Sequence, residues 1–447
     1  RSATFEDCVR RLPEIERLGF DVLYFVPIHP IGRRHRKGRN NAVTAEPGEP
    51  GSPYAIGAKE GGHTTIHPDL GTIEDFRRLV EAAAGHGMEI ALDFAIQCAP
   101  DHPWIAAHPE WFTFRPDGTI KYAENPPKKY QDIVNVNFFG PHREALWNAL
   151  KDVVLFWIGE GVKTFRVDNP HTKPIAFWRW LIREVKAAHP ETIFLSEAFT
   201  RPKMMKALAK AGFTQSYSYF TWRNHKQELT AYLTELTGTE CREYLQPNFF
   251  TNTPDILPPI LQQGGRPAFQ MRIVLAATLS SAYGIYNGYE LCEADAIPDT
   301  EEYRNSEKYQ YKVWDWDRPG NIKDYIARLN RARRENPALQ QFLNLRFYGS
   351  SDEQILFYGK MTADRTNIVL VAVNLDPFHA HETTLTLPLE EMGIGPEESF
   401  GAENLMTGET QEWRGAQQRL HLDPAHNPAM LWRVEPAGRK GDGAGRA

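Results

Sequence analysis

Apolar residues along the chain recur in two alternating patterns. Val9, Leu12, Ile15 and Leu18 fall on one face of a helix over Ala3 to Leu18, and Gly19 follows as a stop. Asp21 to Pro27 then carries a continuous apolar run, the texture of a strand buried on both sides in a parallel sheet. Thr72 caps a helix with Asp75 at the capping-box position, that helix runs to about Gly85, and Met88 to Phe94 is the next strand. Further strands are predicted at Thr164–Asp168, Thr192–Ser196, Ser216–Phe220, Gln246–Thr251 and Ser281–Tyr286. Helices are predicted near 141–158, 174–188, 203–211, 227–236, 268–279 and 322–335. Eight strand-then-helix units, the second and sixth strands being the weakest in pattern, imply an α/β fold, a closed (β/α)8 TIM barrel over 1–342.

Two stretches interrupt the alternation. A polar, Gly/Pro-rich loop runs from Ile31 to about His63, and an inserted loop region follows the third strand over 95–140. Loops of this length inside compact domains are usually functional or disordered. After Leu343 the pattern changes to short alternating segments such as Asn367 to Val373, which predicts a C-terminal antiparallel β-sandwich over 343–435. The Gly- and Arg-rich stretch 436–447 reads as a disordered tail.

The chemistry centres on Lys163-Thr164-Phe165-Arg166-Val167-Asp168-Asn169-Pro170. Alternate strand residues share a face, so Arg166 and Asp168 point one way and Phe165 and Val167 the other. A guanidinium there would hold Asp168 ionised, as a nucleophile requires. A purely structural Arg–Asp pair satisfies the same eight residues. The barrel shifts that balance, because active sites of this fold lie at the C-terminal ends of the strands. Asp93, Asp168, Glu197 and Asp255 all stand at or just past such ends, and four converging acids would repel without chemistry or a cation to serve. Asp93 equally well anchors a sugar or the loop beside it.

Composition narrows the partners. A formal charge of -6 on 447 residues gives no basis for a nucleic-acid or anionic-membrane partner. Trp, Tyr and Phe number 11, 17 and 24, enough for a large core and for sugar-stacking platforms. Cys8, Cys98, Cys241 and Cys292 are scattered without disulfide or metal spacing, which reads as a reducing cytoplasm. No apolar run has transmembrane length and no signal peptide is apparent. The histidines lack metal-binding spacing, and no glycine-rich nucleotide motif is present, so neither a metal nor a cofactor is expected.

Gly71-Thr72-Ile73-Glu74-Asp75-Phe76, Ala91-Leu92-Asp93, Phe165-Arg166-Val167-Asp168, Ser196-Glu197 and Asn252-Thr253-Pro254-Asp255 resemble, in order, the segments of the α-amylase superfamily (glycoside hydrolase family 13). The resemblance covers about Phe5 to Glu435 and implies Asp168 as nucleophile, Glu197 as general acid/base and Asp255 as the third acid, which grips the sugar. Two departures are informative. Gln97-Cys98 stands where many members have Asn-His, and Pro254 stands where a histidine commonly precedes the last acid. Both count against an ordinary starch hydrolase.

A narrower match accounts for them. Asn40-Asn41, Gly51 to Gly57, Gln97 to Trp104, Asn125-Pro126-Pro127-Lys128-Lys129-Tyr130 and Arg166 to His171 resemble the bacterial α-1,4-glucan:maltose-1-phosphate maltosyltransferases. That resemblance implies transfer of a maltosyl unit from α-maltose-1-phosphate to the non-reducing end of an α-1,4-glucan, with release of phosphate, in α-glucan (glycogen) biosynthesis. It implies that Asn125, Lys128 and Tyr130 hold the phosphate, helped by Ser52 and Asn169. Lys37, Asn41, Gln97, Lys308 and Tyr309 would hold the maltosyl sugars. The plain alternatives are a solvated basic turn at Lys128-Lys129 and an ordinary polar loop at Lys308-Tyr309. Other readings are an α-glucan hydrolase or trehalose-forming isomerase of the same superfamily, and a catalytically dead binding subunit. Family members carry additional N-terminal domains, one helping form a homodimer, whereas this chain begins at the barrel, which leaves dimerisation open.

Overall fold

The computed structural model describes residues 2–125 and 128–436. The side chains of Asn125 and Lys128, and the expected tail beyond Pro436, lie outside the described residues. Contacts divide the chain into two units, one running to Tyr217 together with Tyr303–Trp314, the other comprising Ser218–Glu302 and the chain from Asp315 onward.

In the first unit the leading helix α1 (Phe5–Leu18) buries Phe5, Leu12 and Leu18 and stops at Gly19, whose φ of 84° only glycine adopts at low cost. Parallel strands then follow in sequence. They are β1 (Val22–Phe25), β2 (Glu89–Phe94) after helix α2 (Ile73–Gly85), and, beyond an excursion, β5 (Thr164–Asp168), β6 (Ile193–Glu197) and β7 (Gln215–Tyr217). Their pairing runs β1-β2, β2-β5, β5-β6 and β6-β7. Thr72 caps α2 as expected, its hydroxyl accepting from the Asp75 N–H at 3.2 Å while Asp75 accepts from Thr72 N–H at 2.7 Å. Helices α4 (Arg143–Gly159), α5 (Ile175–Ala188) and α6 (Pro202–Lys210) return the chain between strands. One cluster of buried apolar residues joins them, including Phe76, Leu150, Trp157, Phe165, Val167, Trp178, Leu181 and Phe194. Burying Phe165 and Val167 in that core turns Arg166 and Asp168 to the opposite face of β5.

The excursion 95–140 is more regular than expected. It contains a short helix, α3 (Pro103–Ala107), and an antiparallel hairpin of β3 (Tyr122–Asn125) and β4 (Lys128–Val134). The hairpin is tied to the segment that follows β2 by two backbone bonds between Cys98 and Val134, at 3.0 and 2.8 Å.

The second unit carries helix α7 (Lys226–Gly238), the parallel pair β8 (Pro247–Phe250) and β9 (Ala282–Gly284), helices α8 (Pro259–Gln263) and α9 (Gly265–Leu279), and helix α10 (Lys323–Glu335). Its C-terminal part is antiparallel. Six strands lie in the order β10-β11-β12-β17-β14-β15, with β10 (Leu345–Tyr348), β11 (Ile355–Met361), β12 (Ile368–Asn374), β14 (Ser399–Asn404), β15 (Thr410–Arg414) and β17 (Ala429–Pro436). A separate pair joins β13 (His381–Thr386) to β16 (Gln417–Leu422), and a core that includes Phe357, Leu385, Leu422 and Trp432 fills this part.

The strand count corrects one expectation. Seven parallel strands, not eight, are present among the described residues. The expected second strand has no counterpart between Phe25 and Ile73, where the chain makes only isolated bridges such as Ile31 with Ile56 and Ala58 with Gly61. Glycines and prolines there deny the backbone a continuous ladder. Among the described residues no helix is long and apolar enough to cross a membrane.

Candidate active site

The register of the parallel strands builds the site. Asp93 on β2 lies opposite Arg166 on β5, and Asp168 at the end of β5 lies opposite Glu197 at the end of β6. Arg166 Nη1 is 2.8 Å from Asp93 Oδ2 and 2.8 Å from Asp168 Oδ1, and its Nη2 is 3.2 Å from Glu197 Oε1. One guanidinium, 2% exposed, thus grips three carboxylates that are themselves buried. A planar fork of five donors can do this where the single ammonium of a lysine cannot.

Tyr24 and Tyr54 donate their phenols to Asp93 Oδ2 at 2.6 and 2.9 Å, while Asp93 Oδ1 is buried without a partner. Burial raises Asp93 to about 6, with Arg166 pulling in the opposite direction. Burial works against the Arg166 charge, and Asp93 and Glu197, with Tyr24 and Tyr54, outweigh it and raise the guanidinium above its ordinary value. Asp93 is therefore an anchor of the guanidinium, positioned by two phenols.

Past Asp168 the chain kinks. Asn169 takes left-handed φ and ψ of 43° and 52°, which asparagine tolerates better than most residues, before Pro170. The kink points the Asn169 N–H at Glu197 Oε2, 3.2 Å away, and its amide Nδ2 at Asp168 Oδ2, 3.4 Å away. Both oxygens of the buried Glu197 thus meet polar hydrogens, one from Arg166 and one from the Asn169 N–H.

Residues expected at the sugar and phosphate divide into three groups. Gln97, Ser52 and Lys308 meet Tyr54, which bonds Asp93, while Lys37 and Lys308 both act electrostatically on Asp132. Gln97 donates to the Tyr54 carbonyl at 3.3 Å, Ser52 Oγ accepts from Tyr54 N–H at 3.3 Å, and the Lys308 ammonium lies 5.0 Å from the centre of the Tyr54 ring. Burial lowers the Lys37 ammonium and raises the Asp132 carboxyl, while each one's charge favours the ionised form of the other. Lys308 acts on Asp132 in the same sense. Tyr309 is buried beside Lys308, whose ammonium is 5.6 Å from its ring centre.

A second group stands less centrally. Asn41 is exposed with φ of 64°, and its neighbour Asn40 accepts from Asn305 N–H at 2.7 Å, tying this loop to the 303–314 segment. Tyr130 packs half-buried against a small core of Ala55, Ala99, Ala123 and Ile133. The third group is described apart from this centre. Asn125 and Lys128 have side chains outside the described residues. Asp255 belongs to the second unit, five residues past β8, with its N–H held by Thr253 Oγ1 at 3.2 Å.

Three participants escaped the sequence reading. Tyr24 lies in an otherwise apolar strand, where its hydroxyl was the available signal. Tyr54 was visible only as part of a motif. Asp132 sits two residues past Tyr130 and could have been flagged as an acid beside a basic turn.

The fold also assembles donors that no spacing in the sequence announced. Atoms of His63, Cys98 and His102, all buried, come within 4.8 Å of one another. Their hydrogen bonds make a chain instead of a vacancy. Trp104 N–H donates to His102 Nδ1 at 3.0 Å, so His102 carries its proton on Nε2, which faces His63 Nδ1 at 3.1 Å. His63 Nε2 in turn faces the Ala95 carbonyl at 3.0 Å. Burial lowers His102 to about 2 and His63 to about 4, so both rings are neutral and both lone pairs are in use. A metal ion would have to displace this chain.

The fold is that of the α-amylases. An α-amylase from Lactobacillus plantarum superposes with a TM-score of 0.72 at 21% identity, covering 96% of this chain and 94% of that one. A maltogenic α-amylase from Thermotoga neapolitana gives 0.73 at 19% identity, covering 97% and 94%. Sequence relatives are more specific. Residues 347–434 match the family model described as GLGE, C-terminal. An α-1,4-glucan:maltose-1-phosphate maltosyltransferase of Rhodospirillum rubrum is 63% identical over 98% of this chain, and one of Pseudomonas aeruginosa is 59% identical over 97%. At such identity over nearly its whole length, the chain belongs to the family of these maltosyltransferases. It spans 63% and 66% of the length of those two relatives.

Proposed function

We propose that this chain carries the catalytic site of a retaining maltosyltransferase that uses α-maltose-1-phosphate as donor and the non-reducing end of an α-1,4-glucan as acceptor. The observation that carries the reading is the single guanidinium shared by Asp168 and Glu197 at the ends of adjoining strands. Retention needs two carboxyl groups close together, about 5–5.5 Å apart, one to attack and one to exchange the proton.

In the first step the Asp168 carboxylate attacks the anomeric carbon and the bond to the phosphate oxygen breaks. Glu197 donates its proton to the departing phosphate. In the second step Glu197 takes the proton of the acceptor 4-hydroxyl, which attacks the anomeric carbon and frees Asp168. Two inversions give net retention. Asp255 completes the acid set and grips the sugar hydroxyls. Ser52, Asn125, Lys128, Tyr130 and Asn169 bind the phosphate, whose charge calls for an ammonium and neutral donors. Lys37, Asn41, Gln97, Lys308 and Tyr309 bind the maltosyl unit. In this reading the reaction extends an α-glucan in the cytoplasm, toward glycogen synthesis.

The test is release of inorganic phosphate from α-maltose-1-phosphate with and without maltohexaose. Acceptor-dependent release, with glucans growing by two glucose units and Asp168→Ala inactive, is the expected result. Phosphate release with maltose as sole product, or hydrolysis of maltohexaose without donor, would replace the transferase with a hydrolase.

A further inference from the structure

A buried lysine that neither the family segments nor the proton transfers above employ lies directly behind the nucleophile. Lys173 is 6% exposed, and its ammonium is 3.3 Å from the backbone carbonyl of Asp168 and 3.3 Å from that of Asn169. An ammonium withdrawn from water is costly unless charge and hydrogen bonds compensate it. Burial lowers the Lys173 ammonium from its ordinary value, Arg166 acts in the same direction, and the charges of Asp168, Glu197 and Asp93 oppose them; the two carbonyls receive its protons. Beside it, burial and the Lys173 charge both lower the His171 imidazole, with Asp168 opposing them.

The two carbonyls that Lys173 holds belong to the kink that aims Asn169. That kink delivers a backbone N–H to Glu197 and a side-chain amide to Asp168. Thr172 Oγ1 also donates to the Asn169 carbonyl, at 2.8 Å, and Trp178 Nε1 donates to the Pro170 carbonyl at 2.9 Å. The turn is therefore fastened from behind at three successive carbonyls. Charge adds a second effect. Three carboxylates face one guanidinium, and the Lys173 ammonium favours the ionised form of those it faces, Asp168 foremost.

We propose that Lys173 is a positioning residue for both reacting carboxylates, fixing the Asn169 kink through the Asp168 and Asn169 carbonyls while supplying the second positive charge of the acidic cluster. The inference rests on the assignment of Asp168 and Glu197 as the reacting pair. Neutral replacement frees the kink and removes the charge together, whereas Lys173→Arg keeps the charge.

The test uses Lys173→Met, Lys173→Gln and Lys173→Arg in the donor-dependent assay, beside Asp168→Ala. In Lys173→Met, kcat should fall about tenfold to a hundredfold while donor KM stays within about threefold. The acid limb of the kcat–pH profile should move up by about one pH unit, since the carboxylates lose a neighbouring cation. Lys173→Arg should restore the limb. Lys173→Gln, which keeps one donor for the carbonyls, serves if the methionine variant does not fold. The proposal falls if the neutral variants lose only thermal stability and keep the wild-type pH profile while Asp168→Ala is inactive. An active Asp168→Ala would overturn the reacting pair itself.

Discussion

Replacing Arg166 with methionine removes the guanidinium from contacts of 2.8, 2.8 and 3.2 Å with Asp93, Asp168 and Glu197. At an effective dielectric of ~20 and a charge separation of ~4 Å, each pair is worth about 4 kcal/mol. Breaking a buried pair by removing one partner costs roughly 3–5 kcal/mol. The three losses do not add, because a stranded carboxylate can take up a proton instead. That response makes the cost depend on pH. In the variant the folded-state carboxylates titrate above their unfolded values, so the folded form binds the extra protons and stability falls as pH rises through that window. The intact protein already shows the sign of this effect in Asp93, held at about 6 against 3.8, which loses stability as pH rises between those values. Urea unfolding of wild type and Arg166→Met at pH 5, 6.5 and 8, followed by tryptophan fluorescence, measures the gap. It should widen with pH and reach roughly 4–5 kcal/mol at pH 8. A gap that is constant across the range, or stays below about 1 kcal/mol at pH 8, would refute the account of Arg166 as the counter-charge of the cluster. Arg166→Lys, which keeps the charge but not the fork, should fall between the two.

Other outcomes follow from groups away from the chemistry. Lys360 is 1% exposed, donates to the Gln341 carbonyl at 2.5 Å, and is lowered from 10.5 to about 7 by burial and by Arg333. A lysine so held costs the fold up to roughly 5 kcal/mol when charged, and the cost is relieved as pH rises from about 7 toward its unfolded value. Lys360→Met should therefore unfold at higher urea than wild type at pH 7 and lose that advantage by pH 10; parallel curves over this range would contradict it. Gly57 has φ of +106°, and a Cβ there would overlap the His102 ring. Gly57→Ala should destabilise by roughly 2–4 kcal/mol and raise donor KM by displacing the loop that carries Ser52 and Tyr54, an outcome checked by thermal unfolding and initial rates.

Local pattern was enough for much of the framework. The helix at Phe5–Leu18, the capping box at Thr72 and Asp75, the strand Thr164–Asp168 and the change to antiparallel texture after Leu343 each rest on spacing or on residues adjacent in the chain, where period and cap chemistry decide the outcome. The pairing of Arg166 with Asp168 was legible for the same reason, being two residues apart on one strand face. The expected second strand was not to be had from pattern, because a Gly/Pro-rich stretch can bridge without forming a ladder. The hairpin Tyr122–Val134 was hidden by its polar residues.

The sequence by itself thus determined which carboxylates stand at strand ends, that an arginine accompanies one of them, and which family the motifs resemble. Only the tertiary structure decided that the arginine serves three acids at once. Register between β2, β5 and β6 joins positions 73 and 31 residues apart, and no local signal encodes that. It likewise decided that Tyr24 and Tyr54 orient Asp93, that the charges of Lys37 and Lys308 both act on Asp132, that Lys173 bonds the carbonyls of Asp168 and Asn169, and that His63 and His102 form a neutral hydrogen-bonded chain. Each of these depends on burial, which sets the cost of an unpaired polar group, and burial exists only once distant segments have packed.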